Sequence, residues 1–347
     1  MNHLRRPVLD SATSTAEPAA IPDAPLRPPG SRRAAGWFAA LLLILPTVVV
    51  AFRVMDLDGA TPVPQLLAFL PWLLIPSGAA LLLALLGRWR VGMAWATVVL
   101  ALIGWFVRPY DSGLVDVPEG RAIAQFDVLT SNVEFGNATP GLLATIQREQ
   151  PDLVFVQECA AVCSDALEAE ISQAEYPYRN VVEGAAASGS AILSKYPLQQ
   201  AAGIDSVHAM PGSVAVIAGR KINVQLAHPL PPIPDGVDEW RSELDLMRKY
   251  ARGAKAEPTI IAGDFNASQD HAAFRHILDD GDLKNASALG GASRTPSWPT
   301  MVGRPLGTQI DHVLVSEEFS VRKARFLELG NTDHRSLLVR LDLHDGR

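Results

Sequence analysis

Three apolar stretches before residue 108 constrain the fold of this 347-residue chain more than any other feature. They cover about residues 34–52, 65–86 and 91–107, and none of them contains a charged residue. A helix of about 20 apolar residues spans a bilayer, and the third stretch is at the short end of the usual range. The pattern predicts three transmembrane helices. The alternatives are buried core helices for all three and a signal segment for the first.

The charges that flank these stretches predict their orientation. Residues 1–33 are rich in Pro, Ala, Ser and Thr and contain five arginines, so they predict a disordered tail. The loop at 87–90 adds two arginines, whereas the loop between the first two stretches carries Asp56 and Asp58. Positively charged loops remain in the cytoplasm. We therefore expect a multi-pass protein of the cell membrane, with a cytoplasmic tail and with everything after Arg108 outside the cytoplasm.

The remainder of the chain predicts a linker at 109–120 and one α/β domain at 121–347. Short β-like runs alternate there with helical segments, which is typical of two stacked sheets or one large mixed sheet. The predicted strands are 124–131, 153–157, 191–193, 214–218, 222–226, 259–262, 310–315 and 336–341, and the predicted helices are 140–149, 160–174, 240–251 and 270–279.

One polar tetrapeptide follows the apolar run at 259–262. Gly263 permits a tight turn, and Asp264 and Asn266 are two residues apart, so they point to the same side of an extended chain. Taken alone, the motif also describes a strand followed by an Asx-type turn.

Five further polar clusters adjoin strand-like runs, and together they outweigh the structural explanation of each one. The set combines carboxylates, carboxamides and histidines and lacks the Cys/His spacing of a zinc site, so its hard oxygen ligands favour Mg²⁺ or Mn²⁺. A divalent metal with His and Asp suits in-line attack of water on phosphorus. The clusters centre on Asn132, Glu158, His228, Asp311 and the pair Asp333–His334.

The segments NVE, VQE, SGSAILSKYPL, AHP, GDFN, IDHVLVS and TDH resemble the endonuclease/exonuclease/phosphatase superfamily over about residues 126–341. This group includes DNase I-like nucleases, sphingomyelinases and inositol-phosphate phosphatases. The resemblance implies an α/β fold, a four-layer sandwich of two packed mixed β-sheets flanked by helices. It also implies a metal-dependent phosphoric ester hydrolase.

The same resemblance implies roles for individual residues. Glu158 resembles the principal Mg²⁺ ligand, with Asn132 beside it and Asp333 at the metal. Asp264 would orient or deprotonate the attacking water, and Asn266 would contact phosphate or water.

The resemblance places further residues around the scissile phosphate. His334 would bind that phosphate or stabilise its transition state, with Asp311 holding the imidazole in one tautomer. His228 would contact the phosphate from the other side. On the substrate side, Trp298 either approaches the substrate or packs under a loop, and Glu134 stands where many relatives have Asp.

Two features near these motifs have structural explanations. His312 follows Asp311 and, by strand alternation, is expected to face away from it as a structural residue. Cys159 and Cys163 are the only cysteines, and one helical turn brings them within disulfide distance. Both a disulfide and a pair of free thiols fit the sequence.

The substrate class depends on charge and on location. Surfaces that bind nucleic acid are basic, but residues 120–347 contain 21 Lys and Arg against 29 Asp and Glu, a net charge of −8. Nucleic acid is therefore a disfavoured partner, although a nuclease is not excluded. Three spans and a short linker would hold the domain at the membrane, where phosphorylated lipids are concentrated.

The order of tail, three spans and catalytic domain resembles the VanJ-type membrane proteins associated with resistance to glycopeptide antibiotics such as teicoplanin. This resemblance implies a phosphatase or pyrophosphatase that acts on an undecaprenyl-linked intermediate of the cell wall. The alternatives are an extracytoplasmic nuclease, a sphingomyelinase-like phosphodiesterase and an inactive binding module. No feature of the sequence indicates an oligomeric state.

Overall fold

The apolar N-terminal region folds as a bundle of helices. The computed structural model describes residues 30–110, 118–303 and 305–346, so most of the predicted tail and linker lies outside the described residues. α1, α3 and α4 pack around a shared apolar core. The helices are α1 (Gly30–Val54), α2 (Val63–Ala68), α3 (Leu74–Leu86) and α4 (Arg90–Phe106), with a 3₁₀ turn at Leu70–Leu73.

Only α1 has the length and apolar character of a full membrane span among the described residues. The predicted second span is interrupted. Pro64 is the second residue of α2, and Pro71 is the second residue of the 3₁₀ turn. A proline lacks the amide hydrogen that would continue a helix. The continuous apolar part is Leu70–Leu86, and the third apolar helix is Arg90–Phe106. The described chain thus contains one full-length apolar helix and two shorter ones, not three full-length spans.

The outer surface of this bundle is apolar, and its ends differ. Exposed side chains include Trp37, Leu41, Ile75 and Val98. At one end, Arg32, Arg33 and Arg88 line a common pocket. At the other end, the loop after α1 and the end of α4 contact the rest of the chain.

Two mixed six-stranded sheets form the chain from residue 122 onward. In the first sheet the strand order is β11-β12-β1-β2-β4-β3, and in the second it is β5-β6-β7-β8-β10-β9. The strands are β1 (Ala122–Asn132), β2 (Leu153–Gln157), β3 (Tyr178–Val182), β4 (Ser190–Ser194), β5 (Leu198–Ile204), β6 (Met210–Ile217), β7 (Arg220–Ala227), β8 (Thr259–Asp264), β9 (Lys284–Asn285), β10 (Asp311–Val315), β11 (Phe319–Glu328) and β12 (Arg335–His344).

The sheets pack face to face through a core that includes Phe126, Phe155, Leu226, Val313 and Val339. Helices cover the outer face of each sheet and bury separate apolar clusters there. This arrangement has four layers, and it confirms the prediction of two packed mixed sheets flanked by helices. The flanking helices are α5 (Thr139–Glu149) and α6 (Ala161–Glu170) on the first sheet, and α7 (Val237–Ala254) and α8 (Ala272–Gly281) on the second, followed by the short α9 (Ala286–Leu289).

Candidate active site

The candidate site lies at one edge of the sandwich, where polar residues meet at strand ends. Parallel strands β1 and β2 end side by side, with Asn132 opposite Gln157. In the second sheet, antiparallel pairing sets Asp311 at the start of β10 opposite Asp264 at the end of β8. Gly263 is required here, since a Cβ at this position would lie 1.9 Å from the carbonyl oxygen of Ala227 on β7. Strand pairing therefore brings together motifs that are far apart in sequence.

Asn132 lies between two carboxylates that belong to different sheets. Its Nδ2 donates to Glu158 Oε1 at 3.0 Å and to Asp264 Oδ2 at 3.1 Å. Its Oδ1 accepts the backbone N–H of Glu134 at 2.9 Å. In this orientation Asn132 acts as a donor that fixes the spacing of Glu158 and Asp264.

His334 is held between acidic groups. Its Nδ1 lies 3.0 Å from Asp311 Oδ2, and its Nε2 lies 3.7 Å from both Asp264 Oδ2 and Asp333 Oδ1. The contact with Asp311 determines the ring orientation and directs Nε2 toward Asp264. The structure thus has the carboxylate–imidazole pair that the sequence predicts.

The charges in this cluster are strongly coupled. Burial alone lowers the pKa of His334, but the negative charges of Asp311 and Asp264 outweigh burial and raise that pKa to about 10. Burial raises the pKa of Asp264 to about 7, against the opposing effect of the nearby His334. His334 is therefore cationic at neutral pH, while Asp264 is a carboxyl group whose charge is costly without a further positive partner.

The residues present fit a divalent cation. Ligand atoms of Asp264, Asp311 and His334 lie within 4.8 Å of one another. Protonated His334 has no lone pair for a metal, so the carboxylates are the cation donors of this group. Within the described ranges, the buried Oδ1 of Asp311 has no hydrogen-bond partner. Glu158, which is hydrogen-bonded to Asn132, adds another carboxylate to the site. Oxygen ligands of this kind suit Mg²⁺ or Mn²⁺.

Three predicted residues form the side of the site that lies toward the surface. Trp298 Nε1 donates to Asp333 Oδ2 at 2.7 Å, so the indole positions the carboxylate, and its ring centroid lies 6.4 Å from that of Phe69 in the bundle. Glu134 Oε2 accepts the backbone N–H of Asp333 at 2.9 Å. The side-chain amide of Asn266 donates to the Pro229 carbonyl at 2.9 Å.

His228 has a neighbour that sequence reasoning missed. Its Nε2 lies 3.7 Å from Glu158 Oε1, and its ring stacks on His208 at a centroid distance of 4.3 Å. Burial, followed by the nearby charge of His208, lowers the pKa of His228 well below its usual value, so the ring is neutral. His208 lies in the loop between β5 and β6 and has no motif around it. The local sequence therefore did not indicate that it belongs to the site.

Several residues at the same edge have a left-handed backbone conformation. Glu134, Phe135, Glu158 and Asn266 all have φ between 46° and 57°. Such left-handed conformations are costly for residues other than Gly and Asn, and they cluster at functional sites. In exchange, Phe135 presents its N–H to Glu158 Oε2 at 3.0 Å.

The structure shows the arrangement of the two cysteines and of His312, which lie near the motifs. Cys159 and Cys163 form a disulfide, with Cα atoms 5.0 Å apart, directly after Glu158. His312 is buried, and its Nε2 lies 3.0 Å from the Ala267 carbonyl while its Nδ1 lies 3.0 Å from an amide nitrogen of Asn285. It faces away from the carboxylate cluster, as strand alternation predicts.

Solved structures with the same fold include a D. rerio TDP2 complexed with single-strand DNA product, which is 13% identical with a TM-score of 0.51 over 63% of this chain and 99% of that chain. A humanized D. rerio TDP2 with 14 mutations is 13% identical, with a TM-score of 0.50 over 62% and 98%. An endonuclease/exonuclease/phosphatase from Beutenbergia cavernae is 19% identical, with a TM-score of 0.49 over 64% and 72%. At these identities the likeness concerns the fold alone.

No curated protein sequence matches this chain. The family profile described as "Endonuclease/Exonuclease/phosphatase family" matches residues 129–334, which is more than half of the chain and runs from β1 to His334. The matched range contains the carboxylates, the paired imidazole and the strand ends described above. The chain therefore belongs to the endonuclease/exonuclease/phosphatase family and is a metal-dependent phosphoesterase or nuclease.

Proposed function

We propose that the protein is a membrane-anchored, Mg²⁺-dependent phosphoesterase that hydrolyses a phosphate or pyrophosphate ester of a lipid-linked cell-envelope substrate, such as undecaprenyl pyrophosphate. The chemistry rests on the buried cluster of Asp264, Asp311 and His334. The location rests on the apolar surface of the helical bundle that contacts the catalytic domain.

The site residues support water attack on phosphorus. Asp264, with its pKa raised by burial to about 7, is suited to accept a proton from an attacking water near neutral pH. Cationic His334 donates through Nε2 to the phosphate oxygens, and Asp311 holds it in that orientation. Glu158 and Asp333, with Asn132 beside Glu158, would hold Mg²⁺, which would neutralise charge on the phosphate. His228 would contact the phosphate from the opposite side, and Asn266 would contact phosphate or water.

The bundle supports a position in the membrane. Large apolar side chains are exposed along α1, α3 and α4, and a protein in water rarely exposes so much contiguous apolar surface. The 17 residues of Arg90–Phe106 extend about 26 Å, which is close to the thickness of the hydrocarbon layer. The bundle therefore fits the bilayer as a unit, although only α1 has full length alone.

The charge distribution supports an extracytoplasmic catalytic domain. Arg32, Arg33 and Arg88 are grouped at the bundle end opposite to the domain. At the domain end, the carbonyls of Phe106 and Val107 bind Arg294 of the domain. Because positively charged ends remain in the cytoplasm, this arrangement directs the catalytic domain outward.

A nuclease is the second candidate, since one structure of this fold is a TDP2 bound to a DNA product. The net charge of −8 over residues 120–347 disfavours it, because nucleic-acid surfaces are basic. The proposed lipid substrate requires no such surface.

The test is phosphate release from undecaprenyl pyrophosphate by the full-length protein in detergent, with Mg²⁺ or with EDTA, beside plasmid DNA under the same conditions. We expect Mg²⁺-dependent phosphate release with intact DNA. An Asp264→Asn variant should be inactive, and Asp238→Asn, which changes an exposed aspartate on α7, should match the parent. DNA nicking without phosphate release would replace the proposal with a membrane-tethered nuclease.

A further inference from the structure

The loop at 229–236 joins the active site to the bundle. On the active-site side, the carbonyl of Pro229 accepts the side-chain amide of Asn266 at 2.9 Å. On the bundle side, Gln65 in α2 donates through Nε2 to the carbonyl of Pro232. This loop, the first active-site loop, therefore lies between the catalytic cluster and the outer end of the bundle.

The loop at 298–307 makes the same kind of connection. Trp298, at its start, donates to Asp333 Oδ2 at 2.7 Å. Near its end, the carbonyl of Gly307 accepts the indole N–H of Trp72 at 3.3 Å. This second active-site loop and the first are thus held against one short segment of the bundle, and both border the site.

Both loops expose large apolar side chains to solvent. Ile233 is 57% exposed in the first loop, and Met301, Val302 and Leu306 are 83%, 46% and 45% exposed in the second. We call these four residues the apolar rim. The first loop carries one acidic residue, Asp235, and the second loop carries one basic residue, so the two loops together have no net charge. An apolar surface without net charge is suited to contact with lipid.

The apolar rim continues the apolar surface of the bundle. At the same end of the bundle, Met55, Leu57 and Trp105 are all more than half exposed. Between Met55 and Leu57 lies Asp56, which pairs with Arg275 of α8, so these residues lie where the bundle meets the domain. Exposed indole rings at a helix end are typical of the interface between lipid and water.

The mouth of the active site opens beside the rim. An open depression of about 560 Å³ is lined by Glu134, Thr300, Met301, Thr332 and Asp333. Asp333 Oδ1 lies 3.7 Å from Nε2 of His334 in the catalytic cluster, and Met301 is the most exposed member of the rim. A phosphate that enters this depression therefore passes a side chain of the rim.

We infer that the apolar rim inserts into the interface of the outer leaflet, so that the active site opens at headgroup depth and takes the phosphate of an amphiphile laterally from the bilayer. The rim therefore contacts the surface of the bilayer. This inference rests on the proposed function, because it assumes that the bundle spans the membrane.

A fluorescence experiment tests the rim directly. The only two cysteines are paired in the disulfide, so Met301→Cys introduces a single free thiol for an environment-sensitive fluorophore. The full-length protein is reconstituted in phosphatidylcholine and phosphatidylglycerol vesicles with and without lipids that carry a quencher near the headgroup. We expect quenching at residue 301 and little at Ala256→Cys, because Ala256 is exposed in the turn before β8, at the opposite end of that strand from Asp264. Equal quenching at the two positions, or none at 301, would overturn the inference.

Kinetics supply an independent test of lateral access. Double substitution of Ile233→Glu and Val302→Glu places charge in the rim at two residues that do not line the depression, and it does not alter the catalytic cluster. We expect at least about a tenfold loss of phosphate release from undecaprenyl pyrophosphate in vesicles, because burying charge in the interface is unfavourable. Turnover of a short-chain, water-soluble isoprenyl pyrophosphate should stay within about twofold of the parent. The control Ala256→Glu, in the exposed turn before β8, should change neither rate.

The outcomes separate the two proposals. Quenching at residue 301 without any hydrolysis of a lipid pyrophosphate supports the membrane contact and refutes the proposed substrate. Hydrolysis of the lipid pyrophosphate that is unaffected by the double substitution, without quenching, supports the function and refutes the rim. An equal loss of turnover on both substrates also counts against the rim.

Discussion

Two buried clusters of charge lie close together in this protein, and they are completed in different ways. The catalytic cluster of Asp264, Asp311 and His334 combines two carboxylates with one imidazole, and a buried oxygen of Asp311 lacks a partner among the described residues. The docking cluster, beneath the bundle, consists of Asp270, Arg294 and Arg53, whose buried Nε lies 3.8 Å from Asp270 Oδ1. There both carboxylate oxygens accept from Arg294, at 2.7 and 2.9 Å.

This difference distinguishes a catalytic site from a structural contact between the bundle and the domain. Arg294 also donates to the carbonyls of Phe106 and Val107, so its charge is fully used in joining bundle and domain. Nearby, Asp58 of the bundle accepts the N–H groups of Ala272 and Ala273 and thereby caps α8. Paired charges stabilise the assembly, whereas the excess negative charge at the catalytic edge is available for a cation, which in turn would attract a phosphate.

The largest expected effect comes from Asp264→Asn, which removes the proposed base but keeps the shape of the side chain. We expect a loss of turnover on the order of 10³-fold. The melting temperature should be unchanged or higher, because a carboxyl group whose charge is costly when buried is replaced by a neutral amide. Phosphate release and thermal unfolding in detergent measure the two effects. Retention of more than about a tenth of the parent rate would exclude Asp264 as the base.

The matching change in the docking cluster is Asp270→Asn, which leaves Arg294 without its carboxylate. Breaking a buried ion pair costs about 3 kcal/mol, so we expect a lower melting temperature and faster proteolysis between bundle and domain. Turnover of the folded fraction should stay within about twofold, since Asp270 is outside the catalytic cluster. Asp238→Asn breaks the exposed pair with Arg241 and should change little. Normal stability of Asp270→Asn would remove the contrast between the clusters.

A smaller effect on activity is expected from Asp311→Asn, which removes the group that orients His334. We expect turnover to fall by about 10- to 100-fold. The negative charge of Asp311 helps to hold the pKa of His334 at about 10, so its removal lowers that pKa. Since protonated His334 is the proposed donor, activity should be lost with rising pH at a lower pH than in the parent. A pH–rate profile of unchanged shape would indicate a purely structural role for Asp311.

The smallest effect should come from the helix cap. Asp58→Ala removes the acceptor for the first amides of α8 and should destabilise the docked bundle by about 1 kcal/mol. Asp58→Asn retains a side-chain oxygen and should recover most of the loss. Thermal unfolding of both variants in the same detergent provides the comparison, and an equal loss in the two would mean that charge rather than capping matters here.

The sequence predicted the strands that carry the site better than those at the sheet margins. β2 was predicted with the observed bounds, and β8 and β10 were predicted to within two residues, since both faces of these strands are buried and their sequences are largely apolar. β3, β5, β9 and β11 were not predicted, and all four are edge strands. Edge strands expose much of their surface and carry polar residues, so their hydrophobic pattern is weak.

Residue types and their order along the chain were sufficient to predict the chemistry of the site and the apolar character of the bundle. Those properties are local, because a carboxylate after a strand or an uncharged helix is visible in a short window of sequence. Tertiary structure alone decided that Asn132 bridges Glu158 and Asp264, that His208 stacks on His228, and that the bundle is locked to α8. Each of these contacts joins segments that are distant in sequence, so it depends on how the sheets and helices pack and not on any local pattern.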